Sequence, residues 1–258
     1  MKRTIALILA LMMCLCLFAA CGGDDGEDTN PVESAAPADN GGVSTAEPLP
    51  SSETIPTWLP QTADAGQEYI DKLVFIGDST TYGLKAYSIV NDSQVWTPSS
   101  GTLALFNQSF ATIVYPKTGA EIPIVDAVKD AQPEYLVLTI GVNGVAMMDE
   151  DSFKTEYIDL IHRIQAASPD TKIICNSIYP VEASYEAKDN GINNAKINTA
   201  NMWVYDIAEA TGTHYIDSAT VLKDANGYLV AEYGNGDGLH LSPAGFNVVL
   251  NYLRTHAL

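Results

Sequence analysis

Positive charge is scarce in this chain. Thirteen Lys and Arg stand against 32 Asp and Glu, giving a net charge of −19. No basic stripe exists to meet a phosphate backbone, so nucleic acid is excluded as a partner. Cysteine is also sparse, with only Cys14, Cys16, Cys21 and Cys175. Long apolar runs are missing except at the start, where residues 5–18 are too few for an ordinary membrane span. No internal repeat is evident, which excludes solenoids and propellers.

That first run has the layout of an export signal. Lys2 and Arg3 precede it, and the small residues Ala19 and Ala20 lead into Cys21. The ending resembles the bacterial lipoprotein lipobox, with Phe18 where Leu is usual. The resemblance implies removal of residues 1–20, a lipid on Cys21, and attachment outside the cytoplasm to the cell membrane. A plain secretory signal cut nearby is the alternative, and both readings export the protein. Cys14 and Cys16 leave with the signal. A lipidated Cys21 then leaves Cys175 without a disulfide partner, so the exported domain must be held by its core. Cys175 reads as a small buried hydrophobe.

Residues 21–60 have a different character. Asp24, Asp25, Glu27, Asp28, Glu33, Asp39, Glu47 and Glu53 occur there without a Lys or Arg, among Gly, Ser, Thr, Ala and Pro. Such a segment is expected to act as an unstructured spacer, with a reach of roughly 35 Å for about 40 residues. Residues 61–258 remain as one domain of sufficient size to bury a core unaided.

Within that domain short apolar runs alternate with helical patterns. Strands are expected at 73–77, 111–115, 135–140, 172–178 and 214–217, and helices at 81–89, 122–131, 153–164, 192–211 and 243–256. The alternation implies βαβ crossovers, hence a three-layer α/β/α sandwich with a parallel sheet of about five strands. In such a fold, residues just beyond the strands converge on one edge. Ser79 follows the first strand in Gly77-Asp78-Ser79, Gly119 follows the second, and Asn143 follows the third in Gly141-Val142-Asn143. Asp237-Gly238-Leu239-His240 lies near the end, spaced so that the carboxylate can curl back onto one imidazole nitrogen. Taken singly, each is also ordinary turn or capping chemistry. A phosphate-binding loop is excluded, because the glycine spacing and its Lys are missing.

Taken together, the four blocks resemble the SGNH/GDSL hydrolase family from about residue 73 to the C-terminus. The resemblance implies a flavodoxin-like sandwich and a serine ester hydrolase with no metal or other cofactor. It further implies Ser79 as nucleophile, His240 as general base and acid, and Asp237 as the residue that orients the imidazole. The backbone N–H groups of Ser79 and Gly119 and the Asn143 side chain would then form the oxyanion hole. Three departures stand out: Thr80 in place of Leu, Gly144 in place of Asp, and no Asn-x-Gly in the second block. Export favours an O-acetyl or short-acyl ester on a carbohydrate, acted on by a monomer. Two longer stretches, 85–110 and 179–194, would wall the pocket with Tyr87, Trp96, Phe106 and Tyr185. A lipid or lysophospholipid esterase, an acyltransferase with the same residues, and a non-catalytic ligand-binding lipoprotein are the alternatives.

Overall fold

The structure is a computed structural model that describes residues 55–258. The export signal, Cys21 and most of the acidic spacer lie outside the described residues. The elements are α1 (Gly66–Ile70), β1 (Leu73–Gly77), α2 (Ser79–Ala86), β2 (Val95–Trp96), β3 (Thr112–Val114), β4 (Glu121–Pro123), α3 (Ile124–Ala131), β5 (Tyr135–Thr139), α4 (Glu150–Ala167), β6 (Lys172–Asn176), α5 (Ala183–Glu186), α6 (Asn194–Thr211), β7 (His214–Ile216) and α7 (Pro243–Arg254).

Five strands form one sheet in the order β2-β1-β5-β6-β7, and every pairing is parallel. Alternation along the strands sends side chains to two apolar layers. Ile76, Leu136, Leu138, Ile173 and Cys175 pack with Ala127, Leu160, Ile164, Val204 and Ile207, which come from α3, α4 and α6. Leu73, Phe75, Val137, Ile174 and Ile216 pack on the other face with Ile70, Leu84, Phe246, Val249 and Leu253, from α1, α2 and α7. This is the expected α/β/α sandwich. Each large side chain fully buried in these layers contributes about 1.5–3 kcal/mol of transfer free energy.

One strand was expected in the wrong place. Residues 111–115 do not enter the main sheet; β3 pairs antiparallel with β4 in a separate two-stranded hairpin. The second strand in chain order within the main sheet is β2, whose two residues align with Phe75 and Ile76 at the sheet edge. The buried Gln94 side chain secures it there by donating to the carbonyls of Ile70 and Leu73. A two-residue strand is too short to carry a period.

Residues 57–59, ahead of α1, also join the sheet. Trp58 bridges Tyr215 in parallel, with the Leu59 N–H donating to the Tyr215 carbonyl and the Tyr215 N–H to that of Thr57. The free edge of β7 thus gains a partner, and the Trp58 ring meets Tyr215 edge-on at 4.9 Å between centroids.

Candidate active site

Ser79 opens α2 directly after β1. Two features force this sharp exit. A Cβ on Gly77 would lie 2.1 Å from both the Thr139 carbonyl oxygen and Thr81 Oγ1, so only glycine fits between β5 and α2. Asp78 then caps the helix, its carboxylate accepting from the Thr80 N–H at 3.0 Å and from Thr80 Oγ1 at 2.7 Å. The Gly141 and Val142 N–H groups also point at this carboxylate. Asp78 therefore joins the turn after β1 to the loop after β5. Burial pushes its carboxyl above the usual range, and these donors offset part of that rise.

The opposite wall of the site is a local turn. One carboxylate oxygen of Asp237 accepts the N–H groups of Leu239 and His240, at 2.8 and 2.9 Å. The other lies 2.7 Å from His240 Nδ1. Gly236 and Gly238 take positive φ to close the turn. Its outside is braced by Lys188, which donates to the Asp237 carbonyl at 2.8 Å, and by the Glu182 N–H on the Gly238 carbonyl. Burial alone would raise the Asp237 carboxyl, but the hydrogen bonds from His240 and Leu239 outweigh it and bring it down to about 2. Ser242 caps α7 through the Gly245 N–H, with Pro243 next, which anchors the end of the loop.

These two walls meet. His240 Nε2 lies 2.9 Å from Ser79 Oγ, completing a hydrogen-bonded chain from Asp237 through His240 to Ser79. With Nδ1 turned to the carboxylate, Nε2 is left facing the hydroxyl. Ser79 is the first residue of α2, so its backbone N–H has no acceptor within the helix.

The other expected residues divide. Asn143 follows β5 as expected, and its side-chain amide makes only a long 3.5 Å contact with the Leu103 carbonyl. Its neighbour Gly144, where the family pattern has Asp, sits tightly: a Cβ there would lie 3.0 Å from Met148 Sδ and 3.3 Å from the Gly141 carbonyl. Gly119 does not join the site. It closes the β3–β4 hairpin at φ +71°, its N–H donates to the Tyr115 carbonyl at 2.8 Å, and it is absent from the cavity beside Ser79. The loop that follows β2 in the main sheet is instead residues 97–104.

That cavity has a volume of about 310 Å³. Ser79 and His240 border it together with Tyr82, Tyr87, residues 99–102, Asn235 and Phe246, and no Lys, Arg, Asp or Glu lines it. Of the expected wall aromatics only Tyr87 is present. Trp96 is buried against Tyr115, Phe106 is exposed elsewhere, and Tyr185 packs beside Gly238 under Lys188. Tyr82 was missed, although it follows Ser79 at helical spacing on α2. Cys175 is fully buried with its thiol pushed up to about 12, so it is not a nucleophile. No cluster of three or more His, Cys, Asp or Glu able to hold a metal ion occurs among the described residues.

The GDSL-like Lipase/Acylhydrolase family matches residues 75–248. The chain belongs to this family, and is a hydrolase of the GDSL type. No curated protein is detectably similar to it. Among solved structures, it is similar to a Streptococcus pneumonia protein provisionally assigned as a platelet activating factor, at 21% identity and a TM-score of 0.52 over 73% of this chain and 88% of that one. It is also similar to a provisionally assigned acylhydrolase from Bacteroides fragilis, at 18% identity and a TM-score of 0.50 over 76% of this chain and 88% of that one. At these identities the likeness concerns the fold.

Proposed function

We propose that this GDSL hydrolase is an extracytoplasmic serine esterase that removes an acetyl or other short acyl group from a carbohydrate. The observation that carries the reading is the unbroken hydrogen-bonded chain Asp237–His240–Ser79 at the carboxyl edge of the sheet.

Ser79 Oγ attacks the ester carbonyl carbon while His240 Nε2 takes the hydroxyl proton. The carbonyl oxygen becomes an oxyanion. In this reading the Ser79 N–H at the start of α2 and the Asn143 amide donate to it, and one such donor is worth about 2.7–4 kcal/mol in the transition state. As the tetrahedral intermediate collapses, the bond to the alcohol breaks and His240 returns the proton to the departing oxygen. An acyl group remains on Ser79. Water, deprotonated by His240, then attacks that acyl carbon, releasing the acid and restoring the serine. Throughout, Asp237 holds the imidazole by Nδ1 and stabilises its positive charge.

The sugar reading is supported by the uncharged, partly aromatic cavity and by the export signal in the sequence. A phospholipid head group would find no cation there. Lipid attachment through Cys21 would keep the enzyme at the cell surface, within reach of envelope glycans.

The test treats the full chain and its Ser79→Ala variant with a fluorophosphonate, reading adducts by intact mass. A single adduct on wild type and none on the variant is the expected result. Equal labelling of both, or none of either in folded protein, would overturn the serine mechanism.

A further inference from the structure

We infer that the cavity beside Ser79 is the subsite for the alcohol half of the ester, and that Tyr82 and Tyr87 are stacking platforms that select an uncharged sugar ring. The inference rests on the esterase reading, and names which residues give it specificity.

Proton delivery places the alcohol. The departing oxygen must receive its proton from His240 Nε2, so the group attached to that oxygen occupies space bordered by His240. The cavity of about 310 Å³ has His240 in its wall. It is large enough for a monosaccharide unit. Asn143, which would face the acyl carbonyl, is not among its lining residues.

The two tyrosines are suited to a flat, partly apolar ligand. Ser79, Tyr82, Gly83 and Ala86 recur at helical spacing, so α2 presents the nucleophile and Tyr82 on one face, and Tyr87 stands at the helix end on the same side. Each ring is backed by a neighbour. Gly101, at φ +72°, lies beside the Tyr82 ring, with room for no more than a methyl between them: a Cβ built there would meet Tyr82 Cγ at 3.5 Å. The Tyr87 ring leans on Phe246, with centroids 6.3 Å apart. Yet both tyrosines remain 41% exposed. A ring held on one side and open on the other offers a face to a sugar at little cost in side-chain entropy. Ser99, Ser100, Thr102 and Asn235 add uncharged donors and acceptors around these rings, matched to hydroxyl groups. No Lys or Arg lines the cavity to meet a phosphate.

Binding is measured first without turnover. The full chain carrying Ser79→Ala is titrated with an acetylated xylo-oligosaccharide by calorimetry, alone and combined with Tyr82→Ala, Tyr87→Ala, Tyr82→Phe or Tyr87→Phe. Each alanine variant is expected to weaken binding about tenfold and each phenylalanine variant by less than about threefold. On the otherwise wild-type enzyme, the alanine changes should raise KM for the same oligosaccharide about tenfold more than KM for 4-nitrophenyl acetate, whose flat leaving group makes fewer contacts. Alanine variants that bind the sugar as tightly as the parent would overturn the subsite, as would phenylalanine variants that lose as much as alanine. Preference for lysophosphatidylcholine over the sugar would do the same. Failure of the esterase reading shows separately, as the absence of a fluorophosphonate adduct on wild type.

Discussion

Asp78 is 1% exposed beneath the nucleophile turn, whereas Asp237 stands in a surface loop with 45% of its side chain open to solvent. The two carboxylates lie on either side of Ser79 and His240, and their surroundings push them in opposite directions. Burial raises Asp78, while three hydrogen bonds from Leu239 and His240 lower Asp237 to about 2. The buried group is tied to backbone on two strands' exits, so it organises the fold around the site. The exposed group stays ionised at neutral pH and is tied directly to the imidazole, which is where the proposed mechanism uses it. On the proposed mechanism, two aspartates in one site thus divide framework and function by environment.

Substitution should separate them. Asp237→Asn keeps the shape of the turn but presents an amide to His240 Nδ1, which favours the wrong tautomer. A fall in kcat of order 10⁴ on 4-nitrophenyl acetate is expected, with a thermal midpoint close to wild type. A change below tenfold would show that the exposed carboxylate does not orient the histidine. Asp78→Ala should act in the other currency. It removes the cap of α2 and strips an acceptor from the Thr80 N–H and hydroxyl in the interior, a loss of roughly 3 kcal/mol in denaturant unfolding. Unfolding unchanged within about 1 kcal/mol would mean the junction between the two loops holds without it.

The two should also give pH dependences of opposite sign. Asp237 is lower in the folded state than its ordinary 3.8, so its stabilising contribution is present above about pH 4 and fades as pH falls toward 2. Asp78 is higher in the folded state than 3.8. The folded protein then holds that proton more tightly, and stability contributed by the group declines as pH rises from about 4 through its folded value. Thermal midpoints followed from pH 2 to 7 should lose the acid-side fall in Asp237→Asn. In Asp78→Asn they should lose the decline on the neutral side. Parallel curves for both variants and wild type would refute the division. Because Asp237 is solvent-screened, its effect is expected to be the smaller of the two.

Much of this arrangement is legible in the chain. The apolar runs of β1, β5 and β6 are bounded by turn residues, and the Asp237–His240 spacing announces a turn. The amphipathic faces of α4 and α6 are long enough to carry their period. Two things were hidden. The strand Val95–Trp96 spans only two residues, and its place depends on a side chain, Gln94, reaching carbonyls on another element. The junction made by Asp78 depends on backbone from 141–142, distant in sequence. Tyr82 carried a readable signal: once Ser79 was placed at the start of a helix, residues three, four and seven positions on had to share its face. Gly101 became interpretable only when β2 was known, since the loop after that strand delivers it to Tyr82.

The smallest predicted effect tests that last correction. Gly119 and Gly101 both adopt positive φ, at +71° and +72°, so replacing either by alanine should cost about 1 kcal/mol in backbone strain. Their surroundings differ. A Cβ at Gly119 meets nothing within 4 Å, and its N–H is already satisfied by Tyr115 in a hairpin away from the cavity. Gly119→Ala is therefore expected to lower the thermal midpoint by a few degrees and leave kcat and KM for 4-nitrophenyl acetate within about twofold of wild type. Gly101→Ala, with its new methyl directed at the Tyr82 ring, should add a rise in KM for an acetylated sugar to the same stability loss. A hundredfold fall in kcat for Gly119→Ala would instead tie the conformation of this turn to catalysis.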